Sequence, residues 1–216
     1  MPSFFMSKKA PTFFHVVFLS FALFLYGVSV QAAEQLPNEI VQKATDEMLS
    51  KIDQAAKLSA AEKQPYFYRV VSDIVAPMVD FDLIAKRVMG KNYGMATESQ
   101  RLKFSKVFRE TLINTYAKGI AGYAHQKIIL KPFAGVQTKN GQDKALIEMD
   151  VKATDGSLMP VSYALFKNPK GEWKLENMIL NGVNLGLTFR NQFAEAVKTK
   201  GNLDQAINNW TVNPGT

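Results

Sequence analysis

Cysteine is missing altogether from the 216 residues. That excludes disulfide staples, thiolate metal sites, a cysteine nucleophile and a lipid-modified cysteine behind an export segment. Histidine is nearly missing too: His15 and His125 are the two present. A nucleophilic hydrolase needs a nucleophile, a base and an orienting group in mutual reach. No Gly-x-Ser-x-Gly elbow supplies the first, and His125, between the last long helix and the first strand, reads as a surface or capping histidine. P-loop, dinucleotide, zinc and calcium patterns are absent. Asp80 and Asp82 form a carboxylate pair, but Asp-Phe-Asp at a helix head is more simply a cap with favourable charge at the positive helix end. Dense runs of one charge are lacking as well. The net charge is +7, of which Lys8 and Lys9 carry two, and the remaining +5 is scattered along helix faces and strand ends. That describes a solvated basic surface with no dense nucleic-acid patch.

One long apolar run does occur. Phe13 to Val28 is broken only by His15, Ser20 and Gly27, follows Lys8 and Lys9, and precedes Val30-Gln31-Ala32. Residues 1–32 therefore read as a secretory signal peptide cut between Ala32 and Ala33. At about 16 residues the run is short for a membrane span, which needs about 20. Residues 33–216 are left as a single exported domain, with a bacterial periplasm as the natural destination. Apolar residues make up 47% of the chain, which rules out disorder and supports a true core.

The chain is organised around Val79 to Tyr123. Asp80 or Asp82 caps a short helix with Leu83, Ile84, Val88 and Met89 on its apolar side, and Gly90 is placed to end it. Thr97 opens a longer helix, with Gln100 completing a capping box. Leu102, Phe104, Val107, Phe108, Leu112, Ile113, Tyr116 and Ile120 sweep one broad face of it. Upstream, Asn38 to Leu49 and Tyr66 to Val75 read as helices. Ser59 and Glu62 form a second capping box that Pro65 cuts to a short turn.

From Lys127 the hydrophobic period falls to two. Strands are expected over Lys127–Phe133, Ala145–Lys152, Met159–Leu165 and Trp173–Leu180, joined by tight turns into an antiparallel meander. Gly182 breaks the sheet. A helix from about Asn184 carries Leu185, Phe189, Phe193 and Val197, and a short closing helix runs through Trp210. The expected fold is α+β: a curved four-stranded antiparallel sheet covered on one face by helices. The apolar excess, with 15 Phe and 7 Tyr, fits either a dense core or a cavity for a long apolar ligand.

Two runs of residues resemble a known family. The first is Phe81-Asp82, Ala85-x-x-Val88-Met89-Gly90, Tyr93, Ala96-Thr97-x-x-Gln100-Arg101-x-x-Phe104, Phe108-Arg109 and Thr115-Tyr116. The second is Trp173-Lys174-Leu175, Asn177, Gly182-Val183-Asn184-Leu185 and Phe189-Arg190-x-Gln192-Phe193. In order and spacing they resemble the MlaC, or toluene-tolerance, family of periplasmic phospholipid carriers. Tyr93 stands where that family usually has Trp, Asn177 where Asp is usual, Asn184 where Ser is usual, and Phe189 where Tyr is common.

The resemblance implies a phospholipid carrier that is not an enzyme, with lipid as cargo and no cofactor. It also implies shuttling between an outer-membrane MlaA-like lipoprotein with a porin and an inner-membrane ABC transporter through its MCE-domain, MlaD-like subunit. On that basis the acyl pocket is expected to be lined by Val107, Phe108, Leu112 and Tyr116. Ile147, Met149, Val161, Tyr163 and Leu165 would face them, and Val183, Leu185, Phe189 and Phe193 would close one side. Tyr93 and Tyr116 would stand near the mouth. The competing readings are an exported binder of another hydrophobic compound and an NTF2-like α+β enzyme using Asp80, Asp82 or His125.

Overall fold

Local capping chemistry sets the helix boundaries. The computed structural model describes residues 35–120 and 126–212; the expected signal peptide, its expected cleavage point and His125 lie outside the described residues. Helix α1 (Pro37–Gln54) leads to α2 (Ala60–Val70), then α3 (Phe81–Met89), α4 (Asn92–Met95) and α5 (Glu98–Ile120). A π-helical turn, Val71–Val75, and a 3-10 turn, Ala76–Met78, join α2 to α3. Both capping boxes form: Ser59 N–H donates to Glu62 Oε2 at 2.9 Å, and Thr97 N–H to Gln100 Oε1 at 3.0 Å. Pro65 does not cut α2 short, because the box starts the helix five residues upstream and the exposed proline forfeits only one intrahelical bond. Asp80 is the cap of α3, accepting from Leu83 N–H at 2.9 Å, whereas Asp82 accepts from the Ser105 hydroxyl and so ties α3 to α5. Gly90 ends α3 at φ +55, a value that favours glycine.

The strands are β1 (Lys127–Leu130), β2 (Gln137–Lys139), β3 (Gln142–Lys152), β4 (Leu158–Lys167), β5 (Trp173–Leu180) and β6 (Val183–Asn184). They form one antiparallel sheet in the order β1-β3-β4-β5-β6, with β2 also paired to β3. The meander is as expected, but two short strands extend it. Both arise from Asn-Gly turns with positive φ at each central residue: Asn140 and Gly141 at 52° and 72°, Asn181 and Gly182 at 48° and 81°. That is the requirement of a type I′ hairpin. Gly182 therefore turns the chain and keeps it in the sheet. The first strand stops at Leu130, before Pro132, which has no N–H to give to a ladder. After the sheet, α6 (Leu185–Lys200) and α7 (Leu203–Asn208) close the fold.

Packing divides α5 into two apolar stripes. Phe104 and Phe108, with Val107, Leu112 and Tyr116 beside them, face α3, α6 and α7. Ile113, Ala117 and Ile120 face α1 and α2. Leu102 belongs to neither stripe and is 65% exposed, so the single broad face read from the sequence is narrower than expected at its start.

Candidate functional site

Strand register gathers one face of the sheet into rows. Leu130, Met149, Val161 and Leu180 are cross-strand neighbours, as are Ile147, Tyr163 and Met178, and Ala145, Leu165 and Leu175. Side chains two residues apart share a face, which is why alternating sequence makes these rows. On this inner face lie Val41 and Ile40 from the first half of α1, together with Met78. The second half of α1 leaves the sheet and packs Met48, Leu49 and Ile52 against α2. Ile128, Leu130, Met159, Tyr163, Met178 and Leu180 are only half-buried, so the inner face keeps accessible apolar surface. Beside it a groove of about 560 Å³ runs between α1 and β1, lined by Asn38, Gln42, Lys43 and Leu130 among others.

The pocket residues expected from the sequence do not all meet. Ile147, Met149, Val161, Tyr163 and Leu165 stand together on the inner face. Tyr93, Val107, Phe108, Leu112, Tyr116, Leu185, Phe189 and Phe193 belong instead to a helical cluster of α3, α5, α6 and α7. Their rings pack on one another: Phe104 lies 4.5 Å from Phe193 and Phe108 5.9 Å from Phe189, centroid to centroid. Met178 touches both clusters. Val183 is in neither and is 40% exposed at the β5–β6 hairpin. Tyr93 is held under two cations, with Arg101 Cζ 4.4 Å and Lys86 Nζ 5.3 Å from its ring centroid. The inner face also takes in Ile40, Val41, Met178, Leu180 and Leu130, which are not among the pocket residues expected from the sequence. The apolar stripe of α1 and the period-two pattern of β1 and β5 carry their signal.

Two polar constellations fix the sheet to the helices. A bulge in β5 leaves Glu176 unopposed, since Ala164 pairs with Asn177 and Leu165 with Leu175. Glu176 Oε2 accepts from Arg87 of α3 at 2.8 Å and Oε1 from Lys144 of β3 at 2.9 Å. Burial pushes the Glu176 carboxyl up, but hydrogen bonds from Lys144 and Arg87 and their charges outweigh it and hold it below its ordinary value. Nearby, Asn177 donates from Nδ2 to Asn184 Oδ1 at 3.1 Å. Gly186 N–H donates to Asn177 Oδ1 at 3.0 Å and Leu187 N–H to Asn184 Oδ1 at 3.1 Å, so both amides cap α6. Among the described residues, no group of three His, Asp or Glu side chains is placed to hold a metal. Nor is any helix there long and apolar enough to cross a membrane.

A sheet with an accessible apolar face, partly covered by the first half of α1, defines an α+β protein of the hydrophobic-ligand-binding kind. Its fold matches that of a phospholipid-binding protein from Ralstonia solanacearum solved in complex with a phospholipid. The TM-score is 0.68 at 24% identity, over 79% of this chain and 92% of that one. The profile of the MlaC protein family matches residues 42–212, and the chain belongs to that family. It is 36% identical over 180 residues to toluene tolerance protein ttg2D of Pseudomonas putida, covering 82% of this chain and 81% of that protein. To the intermembrane phospholipid transport system binding protein MlaC of Haemophilus influenzae it is 29% identical over 173 residues, covering 77% and 78%.

Proposed function

We propose that this protein is a periplasmic phospholipid carrier, exported by a cleaved signal peptide. It would take lipid between an outer-membrane MlaA-like lipoprotein with its porin and the MCE-domain, MlaD-like subunit of an inner-membrane ABC transporter. Family membership and the phospholipid-binding relatives support carriage. Transport needs a closed apolar seat: a phospholipid has some 30 tail methylenes, and at about 0.8 kcal/mol each their exposure to water costs over 20 kcal/mol. Exchange with a bilayer is nearly balanced, since both sites are apolar, so direction comes from the partners.

The seat is the inner face of the sheet. The observation that carries this is the set of half-buried side chains Leu130, Tyr163, Met178 and Leu180 on that face, beside the first half of α1. The acyl chains lie along Ile147, Met149, Val161, Tyr163 and Leu165 and displace the first half of α1. Phe108, Phe189 and Phe193, packed in one ring cluster through Phe104, form the fixed wall behind. Organic extraction of the purified protein with mass spectrometry tests the reading. Wild type yields glycerophospholipid, and Leu130→Glu/Leu180→Glu, altered at half-buried positions, yields none while retaining its fold. An extract without phospholipid, or equal phospholipid from the variant, contradicts it.

A further inference from the structure

Two cations, Lys86 and Arg101, flank the Tyr93 ring, and two more, Lys91 and Arg190, stand next to Gly90, whose carbonyl accepts from Tyr93 N–H. Arg101 of α5 stacks on the Tyr93 ring and donates from Nε to Tyr93 O at 2.9 Å, which fixes its guanidinium. Lys86 of α3 sits over the same ring, so the two charges are closer than the roughly 10 Å over which 0.1 M salt screens them. Arg190 of α6 crosses Gly90, where a Cβ would stand 3.1 Å from its Nε; the absent side chain makes that approach possible. Lys91 follows Gly90 at the start of α4 and is exposed. Among the described residues none of the four has a carboxylate partner, whereas Arg87, one residue from Lys86, is paired with Glu176. Gathered like charges without an acid disfavour one another, and an external anion relieves that cost.

Apolar side chains flank the cluster. Met95, at the end of α4, is 72% exposed, and Leu187, one turn before Arg190 on α6, is 54% exposed. Unpaired Lys and Arg beside singly projecting apolar side chains is the composition that binds an interface of anionic lipid headgroups. We propose that Lys86, Lys91, Arg101 and Arg190, with Met95 and Leu187, form a surface that docks the protein on an anionic phospholipid bilayer. This surface goes beyond the cargo seat: its residues belong to the helical side of the molecule, and it would bring the carrier to a membrane whether or not the seat is filled.

Vesicle flotation of the purified exported protein tests this, with phosphatidylcholine vesicles made with and without phosphatidylglycerol. Binding is expected only with phosphatidylglycerol and falls as salt rises. Lys86→Ala/Arg190→Ala weakens it about 30-fold, at about fivefold for each charge. Lys139→Ala/Lys200→Ala, which removes the same charge elsewhere, leaves it unchanged. Met95→Ser weakens binding while the salt dependence persists, and it tests the surface without removing any charge. Phospholipid extracted from Lys86→Ala/Arg190→Ala matches wild type, which separates docking from carriage. Absent vesicle binding, binding indifferent to phosphatidylglycerol, or equal loss from both double variants overturns the proposal. Loss of extracted phospholipid along with vesicle binding also overturns it and assigns the cations to the cargo. If the double variant instead releases an acidic protein partner without any vesicle binding, the surface is a protein interface.

Discussion

Asn177 and Asn184 face each other at 3.1 Å, and each amide oxygen also accepts a backbone N–H at the start of α6. The family resemblance implies Asp and Ser at these two positions, and such a pair would be joined by one hydrogen bond running the other way. Asn177 supplies the proton that a serine hydroxyl would otherwise give to a carboxylate. Asn177→Asp alone sets an acceptor against the Asn184 oxygen and destabilises the fold by about 1–3 kcal/mol. Adding Asn184→Ser restores a donor and recovers most of the loss. Thermal unfolding of the two single and one double variants completes the cycle. A double variant no more stable than Asn177→Asp would refute the compensation.

Glu176 is held below its ordinary carboxyl value of 4.5. A lowered acid contributes stability above its unfolded value and loses it as pH falls through the folded one. Glu176→Gln therefore costs stability at neutral pH, by about 1 kcal/mol because Arg87 and Lys144 stay partly in water. The wild-type and variant curves of unfolding free energy against pH converge below 4.5. Parallel curves down to low pH would show that the carboxylate charge contributes nothing.

If the helical aromatic cluster is the wall and the sheet the seat, as proposed, stability and lipid content respond to different residues. Phe193 is fully buried against Phe104 and Trp210. Phe193→Ala lowers stability by about 3–5 kcal/mol. Phospholipid per folded molecule stays at the wild-type level in extracts. Loss of lipid from a variant that remains folded would move the seat toward α5 and α6.

The two tryptophans report on the two clusters separately. Trp173 packs with the sheet's inner face and Trp210 with Phe104 and Phe193. Delipidated protein given phospholipid should change its fluorescence in the Trp210→Phe variant, which retains Trp173. The Trp173→Phe variant should stay silent, and the reverse pattern would place the acyl chains in the helical cluster.

Much of this fold is legible directly in residue patterns. Thr97 with Gln100, Asp80 before Leu83 and Gly90 after Met89 each fix a helix end through local bonds. The alternation of Ala145, Ile147, Met149 and Val151 fixes one strand face. Asn181-Gly182 is ambiguous in sequence, because a glycine after a strand signals either an end or a tight turn, and only the partner strand decides. The seat is half legible. Period and hydrophobicity identify Ile147 and Phe108 alike as inward-facing, but neither tells which inward side a residue shares with which other. That depends on α5 carrying two stripes and on α1 lying across the sheet.

A phospholipid with a photoactivatable group on its acyl chain, loaded into the wild-type protein and cross-linked by light, reads the seat directly by peptide mass spectrometry. Label on the β3 and β4 peptides containing Ile147, Met149 and Tyr163, and on α1 near Ile40, is the predicted result. Label confined to the α5 and α6 peptides containing Phe108 and Phe193, or no label at all, would contradict carriage on the sheet's inner face.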